Sequence, residues 1–341
     1  MKEKTLEGAY AHCQQICRDS STTFFSSFTA LENERRSAVH AVYALCRLVD
    51  DIVDGDKEPI VNATDELIQQ THERNALLGE IHSGLETANP PEVHLKRLMA
   101  LVSIRNDLKK ASLGEITDKD QPIFIALQDV FKRYPIRLHD FETVIEGMED
   151  DLYPVQSNTW DGLRSYCYKV ASAVGLILIE IYGYEDRAAR LHAIDLGIQM
   201  QMINVLRDVA EDYERGRVYL PKDVLAAHNI EIEDLSQPNL AQNPSWHSFI
   251  REYSEVVNRH RESAMHLFDY LDPRSRVQPK IMLDAYSEIF HEIVVRRSGD
   301  VFTGPLKLTL RSKISLWVKI NSVSYTHLRA HETRHDLVCR L

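Results

Sequence analysis

The chain has 341 residues, of which 44% are hydrophobic, and 51 acidic against 40 basic residues give a formal net charge of −11. This length and apolar content are sufficient to bury a large core, as one big domain or as two. The acidic balance argues against a nucleic-acid partner, because such proteins need a basic surface patch. Five cysteines without framework spacing favour a reducing cytoplasm.

Helical patterns dominate the chain. Apolar residues recur at helical spacing, no strand-like alternation is sustained, and proline and glycine fall between the long runs. We predict helices at 6–18, 31–54, 63–84, 92–114, 121–133, 137–150, 160–182, 187–213, 244–270, 275–297 and 306–320. No Ser, Pro or Gly linker divides these runs. An all-α, single-domain helical bundle with a site inside its core is therefore expected.

The helix predicted at 31–54 is apolar on every side around two aspartates at i and i+4, Asp50 and Asp54. A helix without a polar face is normally buried, so both carboxylates are expected inside the protein. Like charges at this spacing repel by about 0.2–0.5 kcal/mol on an isolated helix, and burying a carboxylate without a partner costs far more. A cationic group must offset them, and Arg47 lies three residues before Asp50.

The helix predicted at 187–213 repeats this arrangement. Its apolar sequence surrounds a polar stripe with Arg207 beside it, and the stripe consists of Gln201, Asn204, Asp208 and Asp212. Acid and base together suit a metal-bridged anion better than a bare cation. Mg²⁺ takes few protein carboxylates and is commonly completed by phosphates, whereas closed Ca²⁺ or Zn²⁺ sites need a tighter loop or Cys and His ligands. The alternative, two solvated helix faces, conflicts with the apolar surroundings of both pairs.

Five blocks along the chain resemble the squalene and phytoene synthases, and within them most of all the bacterial dehydrosqualene (4,4'-diapophytoene) synthases. The blocks are SSTTFFSSF at 20–28, YALCRLVDDIVD at 43–54, EGMEDDL at 146–152, YCYKVASAVG at 166–175 and QMINVLRDVAEDYERGRVYLP at 201–221. The resemblance runs from about Tyr10 to about Trp317. It implies an all-α bundle of the isoprenoid synthase type with a central cavity. It also implies that two prenyl diphosphates condense head to head through presqualene diphosphate.

The resemblance and the helix geometry together assign Asp50 and Asp54 to one Mg²⁺ cluster. A second cluster, with two or three ions in all, would be held by Asn204, Asp208 and Asp212. The resemblance implies that arginines bind diphosphate oxygens, for which guanidinium has a bidentate geometry, namely Arg47, Arg207 and Arg217. Further substrate contacts are expected from Ser20, Ser21, Thr23, Phe24, Phe28, Tyr43, Gln201, Tyr286 and Lys313. Tyr43 and Tyr286 could equally be half-buried core tyrosines.

The predicted reaction is the Mg²⁺-dependent condensation of two farnesyl diphosphates to dehydrosqualene, in carotenoid biosynthesis. Three phenylalanines, Phe24, Phe25 and Phe28, favour this chain length because they leave little room for a fourth isoprene unit. The open alternatives are a phytoene synthase that uses geranylgeranyl diphosphate and an NADPH-dependent squalene synthase. An elongating prenyl transferase or terpene cyclase would carry other motifs. A non-catalytic assembly factor with this fold is a different class, and the four intact aspartates argue against it.

The last twenty residues, 322–341, differ from the rest in composition. Three histidines at i, i+4 and i+8 would suit zinc, but we interpret the segment as translated vector or adapter sequence beyond a prenyl transferase domain at 1–321. The sequence shows no signal peptide and no apolar run of about 18 or more residues. A cytoplasmic protein is expected, with any membrane contact peripheral, at the inner face, and serving product release.

Overall fold

The computed structural model of the protein describes residues 3–20, 22–59, 61–154 and 157–304. Within these ranges the fold is helical, and extended pairing is limited to one isolated bridge between Tyr184 and Leu271. The predicted all-α class is thereby confirmed. The α-helices are α1 (Glu3–Ser20), α2 (Thr22–Phe28), α3 (Asn33–Asp54), α4 (Asp65–Ile81), α5 (Pro91–Leu113), α6 (Pro122–Arg133), α7 (Leu138–Asp150), α8 (Trp160–Cys167), α9 (Ala173–Tyr182), α10 (Ala189–Arg207), α11 (Val209–Glu214), α12 (Lys222–Ala227), α13 (Pro244–Met265), α14 (Leu267–Tyr270) and α15 (Val277–His291).

Every predicted helix up to residue 297 has an observed counterpart, but two of them are broken. The run predicted at 187–213 bends at Asp208, whose φ of −102° and ψ of 11° separate α10 from α11. The run predicted at 244–270 is interrupted at His266, between α13 and α14. The short helices α2 and α12 were not predicted. The helix predicted at 306–320, Lys313 and the tail 322–341 lie outside the described residues.

Helix α10 is the central element of the bundle. It packs against α8, α9, α13, α14 and α15, and it contributes buried side chains to two apolar clusters. Helix α3 packs against α1, α6, α7 and α9 on the other side. The two helices that carry the acidic stripes are therefore both held by the α8–α9 helix, with the cavities described below between them.

The predicted helix 160–182 is continuous but contains one π-helical turn, Tyr168–Ser172, between α8 and α9. This turn makes a close contact with α10. The Ser172 hydroxyl donates to the Ile194 carbonyl at 2.7 Å, and a Cβ added to Gly197 would lie 2.6 Å from Ser172 Cα and 2.7 Å from Ser172 N. Because these are backbone atoms, only glycine at position 197 allows the two helices to approach so closely.

We expect Gly197→Ala to destabilise the protein by about 1–3 kcal/mol, the usual cost of overpacking a tight core. The matched control is Gly79→Ala in α4, where nothing lies within 4 Å of an added Cβ. That control should be neutral or slightly stabilising, since alanine reduces the entropy of the unfolded chain. Urea unfolding of both variants measures the difference, and equal stability of the two would contradict the contact.

One helical stretch of the described residues, Trp160–Tyr182, is long and apolar enough to cross a membrane by length and composition, and 44% of its most apolar window is buried. Its apolar character has another explanation within the fold. Val170, Val174 and Leu178 line an internal cavity, and Leu176 and Ile177 lie in the core.

Candidate active site

A polar cavity of about 550 Å³ opens between the C-terminal ends of α3 and α7 and the bend between α10 and α11. The aspartates of both predicted stripes lie on its wall, together with four arginines. The polar lining residues are Arg47, Asp50, Asp54, Asp56, Asp151, Tyr166, Gln201, Asn204, Arg207, Asp208, Glu211, Asp212, Arg215, Arg217 and Tyr219. The structure thus brings together two acidic pairs that are more than 150 residues apart in the chain.

Asp54 is the last residue of α3, which ends because Gly55 adopts a left-handed conformation with φ of 82°. A helix C-terminus disfavours an anion, and α3 has no basic residue in its last turn. The compensating charges come from the segment after α11. Arg217 Nη1 donates to Asp54 Oδ1 at 2.9 Å, and Arg215 Nη1 lies 3.3 Å from Asp54 Oδ2.

The other two predicted arginines, Arg207 and Arg47, have different ion-pair partners. Arg207 binds the neighbouring Asp208 in a bidentate manner, with Nε to Oδ1 at 2.7 Å and Nη2 to Oδ2 at 2.5 Å. Arg47 forms ion pairs with the buried Asp51 and with Asp56. The sequence had suggested Asp50 as its neighbour. Arg47 nevertheless remains on the cavity wall.

Asp50 and Asp212 form no ion pair with another described residue, and both have pKa values well above the ordinary value for aspartate. Burial and the nearby Asp54 raise the pKa of Asp50 from 3.8 to about 7, although Arg47 opposes the shift. Burial and Asp208 likewise raise the pKa of Asp212 to about 7, against the effect of Arg217. Near neutral pH these carboxyls are therefore poised between the protonated and ionised forms, and a bound cation would favour ionisation.

Sequence reasoning missed Asp151, which lies at the C-terminal end of α7. Its carboxylate accepts hydrogen bonds from Tyr219 Oη at 2.8 Å and Tyr166 Oη at 3.2 Å, and the two tyrosine rings stack with centroids 4.4 Å apart. Burial raises the pKa of Asp151 to about 6, against the effects of Arg217 and both tyrosines. The signal in the sequence is the acidic block EGMEDDL at 146–152, which carries part of the family resemblance but predicts no role for Asp151.

The position of Asp151 is fixed by two other acids of the same block. Glu149 is fully buried and receives hydrogen bonds from Arg105 Nε at 3.1 Å and Arg74 Nε at 3.0 Å. Asp150 pairs with Lys169 Nζ at 2.6 Å, on the π turn. Because a buried charge stays ionised only when paired, these contacts anchor the end of α7 to α4, α5 and the π turn. The anchored end presents Asp151 to the cavity.

The donor set of this cavity fits a magnesium ion that is completed by an anion. The donors are oxygens from carboxylates and one amide, and Asn204 Oδ1 is buried without a hydrogen-bond partner in the described structure. Among the described residues, no three His, Cys, Asp or Glu side chains converge into a ready metal cage. An open site with few protein ligands is what Mg²⁺ prefers when phosphates supply the remainder.

We expect the affinity for divalent metal to rise steeply as the pH increases through about 7, because protons on Asp50 and Asp212 compete with the metal. The same pKa shifts predict how the stability of the metal-free protein changes with pH. Both folded-state pKa values exceed the ordinary 3.8, so the contribution of these groups is fully present below about pH 4 and is lost as the pH rises to about 7. Calorimetric Mn²⁺ titrations between about pH 6 and 8 test the predicted rise in metal affinity. An affinity that does not change over this range would contradict it.

A second cavity, of about 350 Å³, continues from the first one into the bundle. It is lined mainly by apolar side chains of α3, α9, α10 and α15. Four residues line both cavities and mark their junction: Asp50, Val170, Gln201 and Asn204. A charged chamber thus leads directly into an apolar one.

The positions of the lining residues along α3 and α10 give the length of the apolar cavity. From the junction, the lining extends along α3 from Asp50 to Val39 and along α10 from Asn204 to Ala193. At a rise of about 1.5 Å per residue, each stretch spans about 16 Å. The far end contains Tyr182 and Gln278, which are hydrogen-bonded to each other. The cavity is therefore an elongated apolar tube beside the acidic chamber, with this hydrogen-bonded pair at its far end.

Several residues predicted to contact substrate line this tube. Phe28 is 3% exposed and its ring packs edge-on against Tyr43 at 6.0 Å. Gln201 lies at the junction and receives a hydrogen bond from Asn204 Nδ2 at 3.1 Å. Tyr286 is buried at the polar end, where Asn204 and Arg207 oppose the rise in its pKa caused by burial.

One predicted contact lies elsewhere. Ser20, at the end of α1, is exposed, and its hydroxyl donates to the Ile16 carbonyl at 2.7 Å, so it lines neither cavity. This bond satisfies the hydroxyl locally, as serine often does near a helix end. The side chains of Ser21, Thr23 and Phe24 lie outside the described part of the chain.

Comparisons with known proteins agree on one family. A family model for squalene/phytoene synthases matches residues 17–312. The 15-cis-phytoene synthase of Synechococcus elongatus is 30% identical over 345 residues, which cover 96% of this chain and 94% of that protein. Phytoene synthase 1 of Zea mays, a chloroplastic protein, is 30% identical over 299 residues, which cover 86% of this chain and 63% of the maize protein.

A solved structure gives the fold independently. The crystal structure of a dehydrosqualene synthase in complex with a ligand superposes with a TM-score of 0.69 over 96% of this chain and 99% of that one, at 24% identity. The architecture is therefore the all-α fold of the isoprenoid synthases. Since the family model spans most of the sequence and the Synechococcus elongatus relative matches it nearly end to end, the chain belongs to the squalene and phytoene synthase family.

Proposed function

We propose that the protein condenses two prenyl diphosphates head to head, through a cyclopropyl diphosphate intermediate, to a linear hydrocarbon. The observation that carries this proposal is the junction of the acidic, arginine-lined chamber with the apolar tube. Such a junction can hold a diphosphate on one side and its hydrocarbon chain on the other. The family acts on prenyl diphosphates, which have these two parts.

The charged chamber would hold the diphosphate groups. Arg47, Arg207 and Arg217 offer planar donor pairs that match phosphate oxygens, and Arg215 lies beside them on the wall. Mg²⁺, held by Asp50 and Asp54 on one side and by Asn204, Asp208 and Asp212 on the other, would neutralise the charge on the leaving diphosphate. The high pKa of Tyr286 keeps its phenol protonated at neutral pH, so it can donate a hydrogen bond at this end of the tube.

The apolar tube would protect the cationic stages of the reaction. The first diphosphate leaves with the electrons of its carbon–oxygen bond, the second substrate donates its double bond, and a proton is lost as the cyclopropane closes. Loss of the second diphosphate, rearrangement and loss of a second proton give the hydrocarbon. Phe28 and Tyr43 supply aromatic faces that stabilise positive charge, and the apolar wall excludes water that would capture it.

Farnesyl diphosphate is the substrate that the tube fits best. Carbon–carbon bonds of about 1.5 Å at tetrahedral angles give an extended farnesyl chain of about 14 Å and a geranylgeranyl chain of about 19 Å. The tube extends about 16 Å along α3 and α10. Two farnesyl chains would give dehydrosqualene, the predicted product.

A second candidate is supported by the relatives. The Synechococcus elongatus and Zea mays proteins are both named phytoene synthases, which favours geranylgeranyl diphosphate and a C40 product. The NADPH-dependent squalene synthase remains the third possibility, in which hydride replaces the second proton loss. In every case the product is insoluble in water, which supports the prediction that the enzyme contacts the membrane surface peripherally to release it.

One experiment separates these candidates. Purified protein and Mg²⁺ are incubated with farnesyl or geranylgeranyl diphosphate, with and without NADPH, and the hydrocarbon is identified by mass spectrometry. We expect dehydrosqualene from farnesyl diphosphate without a reductant, complete loss of turnover in excess EDTA and recovery on adding Mg²⁺. Full activity in EDTA would overturn the metal assignment. Formation of no hydrocarbon from either substrate by folded protein would overturn the enzyme proposal.

A further inference from the structure

We propose that three hydrogen-bonded polar residues, Tyr182, Gln278 and Ser27, close the apolar tube and set the longest prenyl chain that it accepts. We call this group the polar lock. The inference rests on the proposed function, since it assigns a length limit to the hydrocarbon part of that substrate. It concerns the end of the tube opposite to the diphosphate chamber.

The order of the lining residues along the α8–α9 helix and α15 places the lock at the end of the tube opposite to the junction. On the α8–α9 helix, the lining begins at Val170, at the junction, and ends at Tyr182. On α15 it begins at Tyr286, beside Asn204, and ends at Gln278 two turns earlier. The two helices therefore converge at the far end, where their last lining residues are hydrogen-bonded to each other.

The hydrogen bonds of the lock are buried and satisfy each other. Tyr182 Oη donates to Gln278 Oε1 at 2.6 Å, and Gln278 Nε2 donates to Ser27 Oγ at 3.1 Å. Tyr182 and Gln278 are each 2% exposed, and Ser27 is fully buried. A hydrocarbon end that pushed these groups apart would leave buried donors and acceptors unpaired, which is more costly than displacing an apolar side chain. The lock therefore resists an incoming chain more than an apolar wall would.

Further contacts support the lock from behind. Arg35 at the start of α3 pairs with Asp272 at 2.8 Å and donates to Ser275 at 2.5 Å. Asp272 also donates its backbone N–H to the carbonyl of Gly183, the residue after Tyr182, at 2.9 Å. These bonds join α3, the end of α9 and the segment before α15. These contacts consequently restrict movement of Tyr182 and Gln278 away from the tube.

The lock and Phe28 belong to different walls of the tube. Phe28 contacts Tyr43 and His40 on α3 and so narrows the tube from the side. Gln278 and Tyr182 stand across its end. Adding one isoprene unit lengthens an extended chain by about 5 Å, so a longer chain must pass Phe28 at the side and must also displace the end wall.

The test removes the bulk of Gln278 and measures product length. Gln278→Ala is incubated with Mg²⁺ and equal concentrations of farnesyl and geranylgeranyl diphosphate. The ratio of C40 to C30 hydrocarbon is compared with that of the wild type. We expect this ratio to rise about tenfold or more, the discrimination that a change of one or a few methylenes in a hydrophobic pocket produces. The matched control is Gln199→Ala, a fully buried glutamine of α10 that does not line the tube, and its ratio should stay at the wild-type value.

Two further variants complete the test. Gln278→Met keeps most of the bulk but loses the hydrogen bonds, so its ratio should lie between those of the wild type and Gln278→Ala. If Gln278→Ala does not fold, Gln278→Ser carries the test, because it also opens the end wall. An unchanged ratio in a folded truncation variant would overturn the lock, as would a wild-type enzyme that makes C40 product only. A wild type that makes no hydrocarbon would instead contradict the proposed function.

Discussion

Replacing Asp50 or Asp212 by asparagine is expected to remove turnover while leaving the protein at least as stable as the wild type. Both carboxyls have pKa values raised to about 7 by burial and a neighbouring aspartate, so their ionised forms are costly in the folded state. An amide of the same shape relieves that cost. It also removes an anionic oxygen that the metal requires, and a loss of about 10²-fold or more in kcat is typical when one electrostatic group is removed from a site of this kind.

The measurement combines three readouts on each variant: kcat, Mn²⁺ affinity by calorimetry, and urea unfolding without metal. Asp195→Asn is the matched control, because Asp195 lies on α10 but bonds His260 and Ser263 on α13, away from both cavities. It should retain turnover. If the Asp50 and Asp212 variants unfold, or bind Mn²⁺ as tightly as the wild type, these residues are structural and the assignment is wrong.

Asp54→Ala and Asp208→Ala should also lose turnover, but with a different effect on stability. From the i, i+4 spacing alone, removing either carboxylate would be expected to relieve repulsion without lowering stability. In the structure, however, Asp54 pairs with Arg217 and Arg215, and Asp208 pairs with Arg207. Their side chains are 30% and 32% exposed, so solvent screening limits each pair to about 1 kcal/mol or less. A small loss of stability is therefore expected in Asp54→Ala and Asp208→Ala.

The fold and the two acidic stripes were predictable because both depend on spacing within one helix. Apolar residues at helical intervals identified the helices, and the i, i+4 aspartates stood out because no polar face surrounded them. The bend at Asp208 was not predictable from this pattern. The backbone bonds continue across it, with Asp208 N–H donating to Asn204 O and Asp212 N–H donating to Asp208 O, so the sequence retains the periodicity of one helix.

Contacts between distant elements could not be predicted from the spacing of residues within one helix. Asp151 is recognised as part of the site only when Tyr219, 68 residues later, donates to it. The pairing of Tyr182 with Gln278 likewise spans 96 residues. Arg47 illustrates the same limit at short range, because Asp50 and Asp51 lie three and four residues after it and both spacings allow an ion pair on a helix. Short helices such as α2 were missed because seven residues carry too little periodicity.

Phe28→Ala is expected to shift the product from C30 towards C40 hydrocarbon, because the ring occupies space at the side of the tube beside Tyr43 and His40. Phe28 is 3% exposed, and truncating a buried phenylalanine costs about 3–5 kcal/mol of stability. The assay must therefore be run in the cold, with the folded fraction measured by circular dichroism. The ratio of C40 to C30 product from mixed substrates should rise relative to the wild type.

Phe25→Ala is the matched control for this prediction. Phe25 lies one turn earlier on α2 and stacks on His40 at 5.7 Å, but it does not line the tube. Its truncation disturbs the same helix and the same histidine without opening the cavity, so its product ratio should remain that of the wild type. An equal shift in both variants would mean that loosening α2 changes chain length indirectly. A wild-type enzyme that already prefers geranylgeranyl diphosphate would show that Phe28 does not exclude the longer chain, and the C40 candidate would then replace dehydrosqualene.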